Sequence, residues 1–401
     1  MQPMSTAARY DIVIVGGGPA GLATALHLAE RYPALAERTL LLEAGEYPRP
    51  KICGGAVTFP GLAQLAALGL SVDVPAAAVH RLRFRFGARA FASDCRDVMH
   101  VIQRDDFDAA LAAATRRRGV AIRSGEVLQA LVPEPGGVRL STSRASYHAR
   151  VVVGADGAKS MVRRALGLRG AHGVARLLRV MTPADPQTAD EFLDRSALFD
   201  FSCTSAGIQG YMWDFPCYVR GQPYLNRGIF DSRIAPLPRG DLKAAFAAGL
   251  GQRGVDWDTV RLESHPVRWF NPHAEFARPH VLLAGDAAGV DPLFAEGISY
   301  ALEYGAVAAD AIGAAFERGD WSFADYRARI MRHSLGRALT RKAQVAYRLY
   351  TAHHGLGWRM FWRLACVAPS WMNHAVGSFL GVLPPRAAID RSNPALPAPH
   401  R

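Results

Sequence analysis

Near its start the chain passes directly from an apolar run into closely spaced glycines, and this pattern limits the folds it can adopt. Residues 10–15 are rich in β-branched side chains, which is typical of a strand, and residues 22–30 have the apolar spacing of a helix. Between them lies the pattern G-x-G-x-x-G, formed by Gly16, Gly18 and Gly21. We expect these glycines to let a pyrophosphate approach the backbone, where the N-terminus of the helix stabilises its charge.

A second apolar run, residues 39–42, ends at Glu43 and completes a predicted β-α-β unit. A carboxylate at this place accepts hydrogen bonds from the hydroxyls of an adenosine ribose. Because it favours an unphosphorylated ribose, the predicted dinucleotide is FAD or NAD rather than NADP. The alternative, a glycine turn that serves only packing, does not account for the acid at the end of the second strand.

Length and charge narrow the class of protein less than this motif does. The 401 residues, at about 150 per domain, predict two or three structural units. The 47 Lys and Arg residues exceed the 35 Asp and Glu residues by 12, and only four of them are Lys. Such a surplus suits nucleic acid, an anionic membrane surface or an anionic substrate. We expect no nucleic-acid partner, because the basic residues are spread along the chain without an aromatic-interleaved stripe.

Cysteine and histidine usage predicts neither a disulfide framework nor a metal site. The five cysteines include no C-x-x-C pair, and the thirteen histidines lack metal-ligand spacing beside carboxylates. The first residues lack the features of a signal peptide, so we expect a cytoplasmic protein. Residues 337–383 are Arg-rich and apolar, with several aromatic residues, and predict peripheral membrane contact; the alternative is a C-terminal helical region packed over the substrate tunnel.

Two later segments resemble further fingerprints of the flavoprotein hydroxylase and reductase superfamily. They are residues 151–160, with Asp156 in Gly-Ala-Asp-Gly, and residues 282–289, with Gly285 and Asp286. In that superfamily the second fingerprint places its Asp on the ribityl chain of FAD, and the Arg of a segment such as residues 103–108 faces the cofactor. The resemblance implies that the dinucleotide is FAD, and that Asp156, Gly285, Asp286 and Arg104 contribute to its site.

Within the superfamily, two segments resemble the geranylgeranyl reductase family of FAD-dependent oxidoreductases. Residues 50–57 contain its K-x-C-G-G stretch, with Cys53, and residues 210–216 contain its Y-x-W-x-F-P stretch. The resemblance implies that Cys53 lies beside the flavin, and that Gly297, in the segment 291–298, allows close approach to it. It also implies a Rossmann-type FAD-binding domain of the α/β class, an interleaved antiparallel-sheet substrate domain and C-terminal helices.

The domain boundaries are predicted from this resemblance together with a change in the residue pattern along the chain. The FAD-binding domain is expected to be discontinuous, formed by residues 1–169 and 279–320. Residues 170–278, where Pro and Gly separate short aromatic-rich runs, are expected to form the antiparallel substrate domain. Residues 321–401 are expected to form a helical region with a loosely held tail.

The residue pattern itself suggests roles for the discriminating segments. Lys51 and neighbouring backbone N–H groups would favour a reactive thiolate at Cys53, whereas the other four cysteines are read as small buried hydrophobic residues. Tyr211, Trp213 and Phe215 alternate and would share one face of a strand. Core packing is the commoner explanation for such rings, but the resemblance implies a substrate wall. The predicted catalytic residues are Cys53, Tyr211 and Trp213, and the predicted substrate-binding residues are Tyr211, Trp213, Phe215 and Pro216.

The expected reaction is reduction of carbon–carbon double bonds in an isoprenoid chain by hydride transfer from N5 of the reduced flavin. The substrate would be a hydrophobic, lipid-like molecule, and the proton donor is left open between Cys53, Tyr211 and an ordered water. Since no second dinucleotide motif occurs, the electron donor is either a reduced nicotinamide or a ferredoxin-like partner. The alternative is an FAD-dependent monooxygenase or halogenase acting on an aromatic or polyketide compound.

Overall fold

The fold is described from a computed structural model of the chain. It covers residues 7–168, 173–352 and 356–367, apart from the side chains of residues 95, 96, 356, 357 and 359. These residues form a mixed α/β structure with two large sheets, which confirms the predicted fold class.

Some strands are apolar runs that are buried on both faces, and others have one exposed face. In chain order they are β1 (Ala8–Val15), β2 (Thr39–Leu42), β3 (Ala56–Thr58), β4 (Ala76–Phe86), β5 (Arg89–Ile102), β6 (Ala121–Arg123), β7 (Leu128–Glu134), β8 (Gly137–Thr142), β9 (Ser146–Gly154), β10 (Val174–Pro183), β11 (Ser196–Asp200), β12 (Gly210–Val219), β13 (Gln222–Asp231), β14 (Glu263–Arg268), β15 (Ala277–Arg278) and β16 (Val281–Leu283).

The helices lie mainly in the first third and the last third of the chain. They are α1 (Pro19–Arg31), α2 (Pro33–Ala36), α3 (Phe59–Ala67), α4 (Arg104–Arg117), α5 (Met161–Ala165), α6 (Asp190–Leu193), α7 (Leu242–Gly251), α8 (Ile298–Arg318), α9 (Tyr326–Arg332), α10 (Ser334–Thr351) and α11 (Leu356–Val367). Short 3₁₀-helices occupy Phe201–Ala206, Trp257–Thr259 and Gly285–Ala287.

The first sheet carries the predicted β-α-β unit. Its strands lie in the order β15-β16-β9-β1-β2-β6, with β8 beside β9 and β7 beside β8. The pairs β16-β9, β9-β1, β1-β2 and β2-β6 are parallel, so the carboxyl ends of these strands meet at one edge. The central strand β1 has four consecutive fully or nearly fully buried residues at its end, as expected for a strand covered on both faces. Ligands of such sheets bind beyond this edge.

The second sheet is larger than the sequence predicts. Its order is β14-β10-β13-β12-β11-β4-β5-β3, so β3, β4 and β5 from residues 56–102 join the strands of residues 174–268. The predicted substrate region, residues 170–278, therefore supplies only part of this sheet. Long-range pairing decided this, since β4 pairs in parallel with β11 from more than a hundred residues further along. The domain boundaries themselves stay a prediction.

Helix α8 is largely buried and lines the cavity described below through Ile298 and Ala301 near its start. It packs on α1, where Gly305 allows close approach: a Cβ there would lie 2.5 Å from the Cβ of Ala23. The helical patterning predicted after residue 292 is present as α8 to α11. In the part of the chain that is described, no helix has the length and apolar character needed to cross a bilayer. The predicted loose tail, residues 391–401, lies outside the described residues.

Candidate functional site

A cavity of about 640 Å³ runs from the carboxyl edge of the first sheet to the inner face of the second. This volume is within the range of small-molecule and cofactor sites. At one end, which we call the dinucleotide end, it is lined by the glycine loop (residues 16–21) and Glu43. At the other, the aromatic end, it is lined by Phe84, Phe199, Tyr211, Trp213, Phe215 and Phe294. The loop that carries Cys53 lies between them.

The glycine loop has the backbone geometry that a phosphate site requires. Gly16 has a φ of 107°, and a Cβ there would lie 2.3 Å from the carbonyl oxygen of Ala155. At Gly21 a Cβ would lie 1.9 Å from the Gly16 carbonyl oxygen, so this glycine serves close packing and does not itself line the cavity. Above Gly18 the space is open, and no side chain caps the start of α1. This loop therefore fits the pyrophosphate of FAD.

Glu43 and Arg104 are held at the dinucleotide end by buried ion pairs. Glu43 accepts a hydrogen bond from the Gly17 N–H (2.8 Å) and pairs with Arg49 (2.9 Å). Arg104 makes a bidentate pair with Asp108 (2.8 Å for both bonds), and its Nη2 is the nearest atom to the space above Gly18. Asp108 is fully buried and also pairs with Arg49. A carboxylate and a cation thus face the cavity where a ribose and a phosphate would bind.

The two later fingerprints occupy different places in the site. Asp286 lines the cavity, and burial raises the pKa of its carboxyl group despite the nearby cations Lys51 and Arg104. A Cβ at Gly297 would lie 3.5 Å from Asp286 Oδ1, so the two predicted residues are neighbours. Gly285 has a φ of 60° and packs against Ala20 rather than lining the cavity.

Asp156 lines the cavity, but its carboxylate is engaged at the start of α5. It accepts hydrogen bonds from Ser160 Oγ (2.5 Å) and from the backbone N–H groups of Met161 (2.6 Å) and Val162 (3.0 Å). These contacts give Asp156 a structural role at the N-terminus of a short helix. Direct contact with the cofactor stays a prediction for this residue.

Cys53 lies midway along the cavity beside a cation and a backbone N–H group. The Gly55 N–H points at its sulfur (3.4 Å), and the guanidinium of Arg104 is within hydrogen-bonding reach. Lys51, which the sequence suggested as the neighbouring cation, has its Nζ 3.1 Å from His265 Nε2, and its charge also interacts with Cys53. Burial and then the Lys51 charge lower the pKa of His265 to about 3, so the imidazole is neutral and accepts from Lys51. The Gly55 N–H and the Arg104 guanidinium thus both lie beside the sulfur of Cys53.

The carbonyl groups of the Cys53 loop are tied to the second sheet. Asn226 Nδ2 donates to the carbonyl oxygens of Cys53 (2.9 Å) and Gly54 (3.1 Å), and Arg179 donates to the former (2.9 Å). Trp213 Nε1 donates to Asn226 Oδ1 (3.1 Å). Neither Asn226 nor Arg179 was predicted, because nothing in the local sequence distinguishes a strand residue that will meet a distant loop.

The aromatic residues of β12 face the cavity together, as their alternation predicts. Tyr211, Trp213 and Phe215 all line it, and a Cβ at Gly54 would lie 3.5 Å from the Phe215 ring. Tyr211 donates its hydroxyl to the Phe294 carbonyl oxygen (2.6 Å), and burial holds the pKa of this phenol well above 10. Pro216 follows Phe215 and, by the same alternation, takes the opposite face and does not line the cavity, so its contact with substrate stays a prediction.

The remaining cysteines differ from one another. Cys217 is fully buried and Cys203 nearly so, in agreement with their predicted packing role, whereas Cys366 on α11 is exposed. The prediction for Cys366 is wrong because α11 turns that side outward. The side chain of Cys95 lies outside the described residues. Within the described ranges, no group of three or more His, Cys, Asp or Glu side chains could hold a metal ion.

Sequence and structure comparisons agree with this geometry. The family model described as FAD binding domain matches residues 9–317. The digeranylgeranylglycerophospholipid reductase of Thermoplasma acidophilum is 27% identical over 345 residues, which cover 78% of this chain and 80% of that protein. These findings confirm the resemblance to geranylgeranyl reductase-like FAD-dependent oxidoreductases.

Two solved structures show how widely the fold is used. One is a geranylgeranyl bacteriochlorophyll reductase-like protein from Thermoplasma acidophilum, with a TM-score of 0.71 and 23% identity over 86% of this chain and 87% of that one. The other is p-nitrophenol 4-monooxygenase from Pseudomonas putida, with a TM-score of 0.67 and 21% identity over 94% of this chain and 96% of that one. At these identities the likeness concerns the fold alone.

Proposed function

Because this chain belongs to the FAD binding domain family and is an FAD-dependent oxidoreductase, we propose that it reduces carbon–carbon double bonds of an isoprenoid chain. One observation carries the proposal: Trp213 and Phe215 stand directly against Gly54, next to Cys53, in the same cavity as the glycine loop. An apolar wall beside the expected reaction centre suits an alkene that has no polar group to orient it. The reductase name of the Thermoplasma acidophilum relative supports this substrate class.

The chain's own residues supply binding and orientation. The glycine loop and Glu43 fit the pyrophosphate and ribose of FAD, and bound FAD, once reduced, supplies the hydride. The aromatic end excludes water and holds the alkene against one face, which converts an encounter into an oriented reaction. One carbon of the double bond receives the hydride and the other receives a proton, so the product has gained two hydrogens.

For the proton, the geometry favours Cys53 over Tyr211. The Tyr211 hydroxyl is engaged with the Phe294 carbonyl oxygen, and burial makes this phenol a weaker acid than usual. The Cys53 sulfur faces the cavity and has Arg104 and the Gly55 N–H beside it, which stabilise the charge left after proton transfer. An ordered water remains the alternative donor. Tyr211 and Trp213 then act as substrate wall rather than as acids.

The electron donor and the location of the protein belong to the same proposal. A reduced nicotinamide or a ferredoxin-like partner would reduce the FAD. An isoprenoid substrate held in a membrane would bring the protein, in the cytoplasm, to the bilayer surface. The outer face of α11 offers the side chains for such contact, with Met360, Leu364 and Val367 all largely exposed at i, i+4 and i+7.

A second candidate is an FAD-dependent monooxygenase or halogenase acting on an aromatic or polyketide compound. The likeness of fold to the Pseudomonas putida monooxygenase favours it, since the same fold serves that reaction. An aromatic wall also suits a planar aromatic substrate.

An anaerobic assay separates the two candidates. Protein reduced with dithionite is incubated with polyprenyl diphosphates, prenylated quinones and geranylgeranyl lipid ethers, and the products are read by mass spectrometry. We expect a gain of two hydrogens per reduced double bond without oxygen, and no gain with FAD-free protein. Turnover that depends strictly on oxygen or halide would instead support the second candidate and exclude the first.

A further inference from the structure

The segment between the fingerprint of residues 282–289 and helix α8 is held by residues that belong to none of the FAD-binding motifs. Residues 291–297, which we call the clamped loop, line the cavity through Phe294, Ala295, Glu296 and Gly297. Ala295 has a φ of 55°, in the left-handed region that non-glycine residues seldom adopt. Such a conformation persists only where its surroundings hold it in place.

Three consecutive carbonyl groups of the clamped loop each accept a hydrogen bond from a hydroxyl elsewhere in the fold. The Pro292 oxygen accepts from Ser232 Oγ (2.6 Å), the Leu293 oxygen from the Tyr350 hydroxyl (3.1 Å), and the Phe294 oxygen from the Tyr211 hydroxyl (2.6 Å). Ser232 and Tyr211 belong to the region of the second sheet, and Tyr350 belongs to α10. The loop is thus held by two parts of the protein at once.

Lys342 on α10 holds both ends of the clamped loop by charge. Its Nζ lies 3.0 Å from Asp291 Oδ2 and 2.9 Å from Glu296 Oε2, and its side chain is 2% exposed. The other Glu296 oxygen accepts a hydrogen bond from Thr58, the last residue of strand β3. Glu296 and Thr58 both line the cavity. One ammonium group therefore links α10 to the loop on the flavin side and, through Glu296, to the strand that follows the Cys53 loop.

Few other charges lie near this cluster. The ring of Tyr300 lies 4.9 Å from Lys342 Nζ, and the carboxyl group of Glu303 interacts with both Glu296 and Lys342. Burial opposes the charge on Lys342, but Asp291 and Glu296 outweigh it and hold its pKa well above the usual value. Burial also raises the pKa of Asp291. Without the ammonium, two buried carboxylates would face each other uncompensated.

We propose that Lys342 is a positioning residue for FAD: by pairing with Asp291 and Glu296 it keeps the clamped loop in the shape that receives the cofactor. This makes the C-terminal helix α10 a part of the cofactor site. The inference requires only that FAD binds and is independent of which bond the enzyme reduces.

Release of FAD from the full-length holoenzyme tests this inference, with flavin fluorescence as the readout. Lys342→Met keeps the length of the side chain and removes its charge, and Lys243→Met makes the same change at an exposed lysine on α7. We expect Lys342→Met to release FAD at least about tenfold faster at about pH 8.5, with the difference shrinking as the pH is lowered, because burial raises the pKa of Asp291 and a protonated Asp291 no longer needs the ammonium. Lys243→Met should match the wild type throughout.

A neutral cluster distinguishes charge pairing from packing. In Asp291→Asn/Glu296→Gln/Lys342→Met neither partner of Lys342 is left as an unpaired carboxylate, so FAD release should return to within about threefold of the wild-type rate and lose the pH dependence that this pair causes. This variant also covers the case in which Lys342→Met alone does not fold. Three results would each overturn the proposal. Lys342→Met could release FAD at the wild-type rate at every pH, or release it faster by a factor that does not depend on pH. The triple variant could release FAD as fast as Lys342→Met does.

Discussion

At the glycine loop the cavity is formed by the backbone of one short segment, whereas the aromatic end is assembled from strands, loops and a helix that are distant in sequence. The glycine loop packs against the Ala155 backbone, and Glu43, Tyr47 and Arg49 bond to the backbone of Gly17. The Cys53 loop needs Asn226, and the clamped loop needs Tyr211 and Lys342. We infer that the first end is specified locally and tolerates no added atom, and that the second depends on many separate contacts of moderate strength.

The largest expected effect is at the glycine loop, where Gly16→Ala can be compared with Gly119→Ala. Both glycines have a positive φ, but an added Cβ meets the Ala155 backbone at Gly16 and no atom within 4 Å at Gly119. We expect Gly119→Ala to cost about 1 kcal/mol of unfolding free energy, and Gly16→Ala to cost about 3 kcal/mol or more and to abolish FAD binding. Urea denaturation and the ratio of flavin to protein absorbance measure both. Full FAD content in Gly16→Ala would contradict a locally specified end.

At Cys53 the expected effect is on the reaction and not on the cofactor. Cys53→Ala should keep its FAD and lower the single-turnover rate of alkene reduction about a hundredfold, as for loss of a positioned acid. Cys366→Ala, at the exposed cysteine of α11, is the control and should leave the rate unchanged. An unaltered rate in Cys53→Ala would remove this residue from the chemistry and leave the ordered water as donor.

Helix α8 lines the cavity, and its buried residue Glu303 makes the unfolding free energy of the protein depend on pH. Burial, and then the charge of Glu296, raise the pKa of Glu303 to about 7. The folded state prefers protonated Glu303. The stabilisation that this protonation gives is therefore complete below the ordinary carboxyl pKa and is lost as the pH rises to about 7.

Glu303→Gln should therefore raise the unfolding free energy by about 1–3 kcal/mol above pH 7 and have little effect near pH 4. Thermal melts across this range measure it, with Glu317→Gln at the exposed end of α8 as the control. A stabilisation that is equal at both ends of the range would show that burial of the charge is not the cause.

The smallest expected effect is at Tyr211. Tyr211→Phe leaves the Phe294 carbonyl group without its donor and should cost about 1–2 kcal/mol of unfolding free energy, while FAD remains bound. Because burial holds the pKa of this phenol well above 10, the pH profile of turnover should keep its shape. The exposed Tyr347 provides the control, Tyr347→Phe. Loss of one limb of the profile in Tyr211→Phe would make the phenol an acid in the reaction after all.

Several site residues could be predicted because their signal is local. The spacing of Gly16, Gly18 and Gly21 reports a turn in which side chains do not fit. Glu43 follows strand β2 directly, and Asp286 comes three residues after the end of β16. The face shared by Tyr211, Trp213 and Phe215 follows from the two-residue period of a strand. The same period, applied one residue further, places Pro216 on the opposite face of the strand.

Other residues could not be predicted, because long-range pairing placed them. Asn226 and Arg179 meet the Cys53 loop only because β13 and β10 pair in the second sheet. Lys342 had one signal: it is one of only four lysines in an Arg-rich chain, and three of those four are at the site, since Lys51 and Lys159 line the cavity and Lys342 pairs with Glu296 of its lining.

The sequence by itself determined that this chain binds a dinucleotide at a glycine loop, since steric exclusion and the helix N-terminus act over a few neighbouring residues. Only the tertiary structure decided what surrounds the reaction centre: which strands complete the second sheet, which cation stands beside Cys53 and what holds the clamped loop. Those contacts join residues up to hundreds of positions apart. Their energies come from burial and charge pairing, which no local pattern specifies.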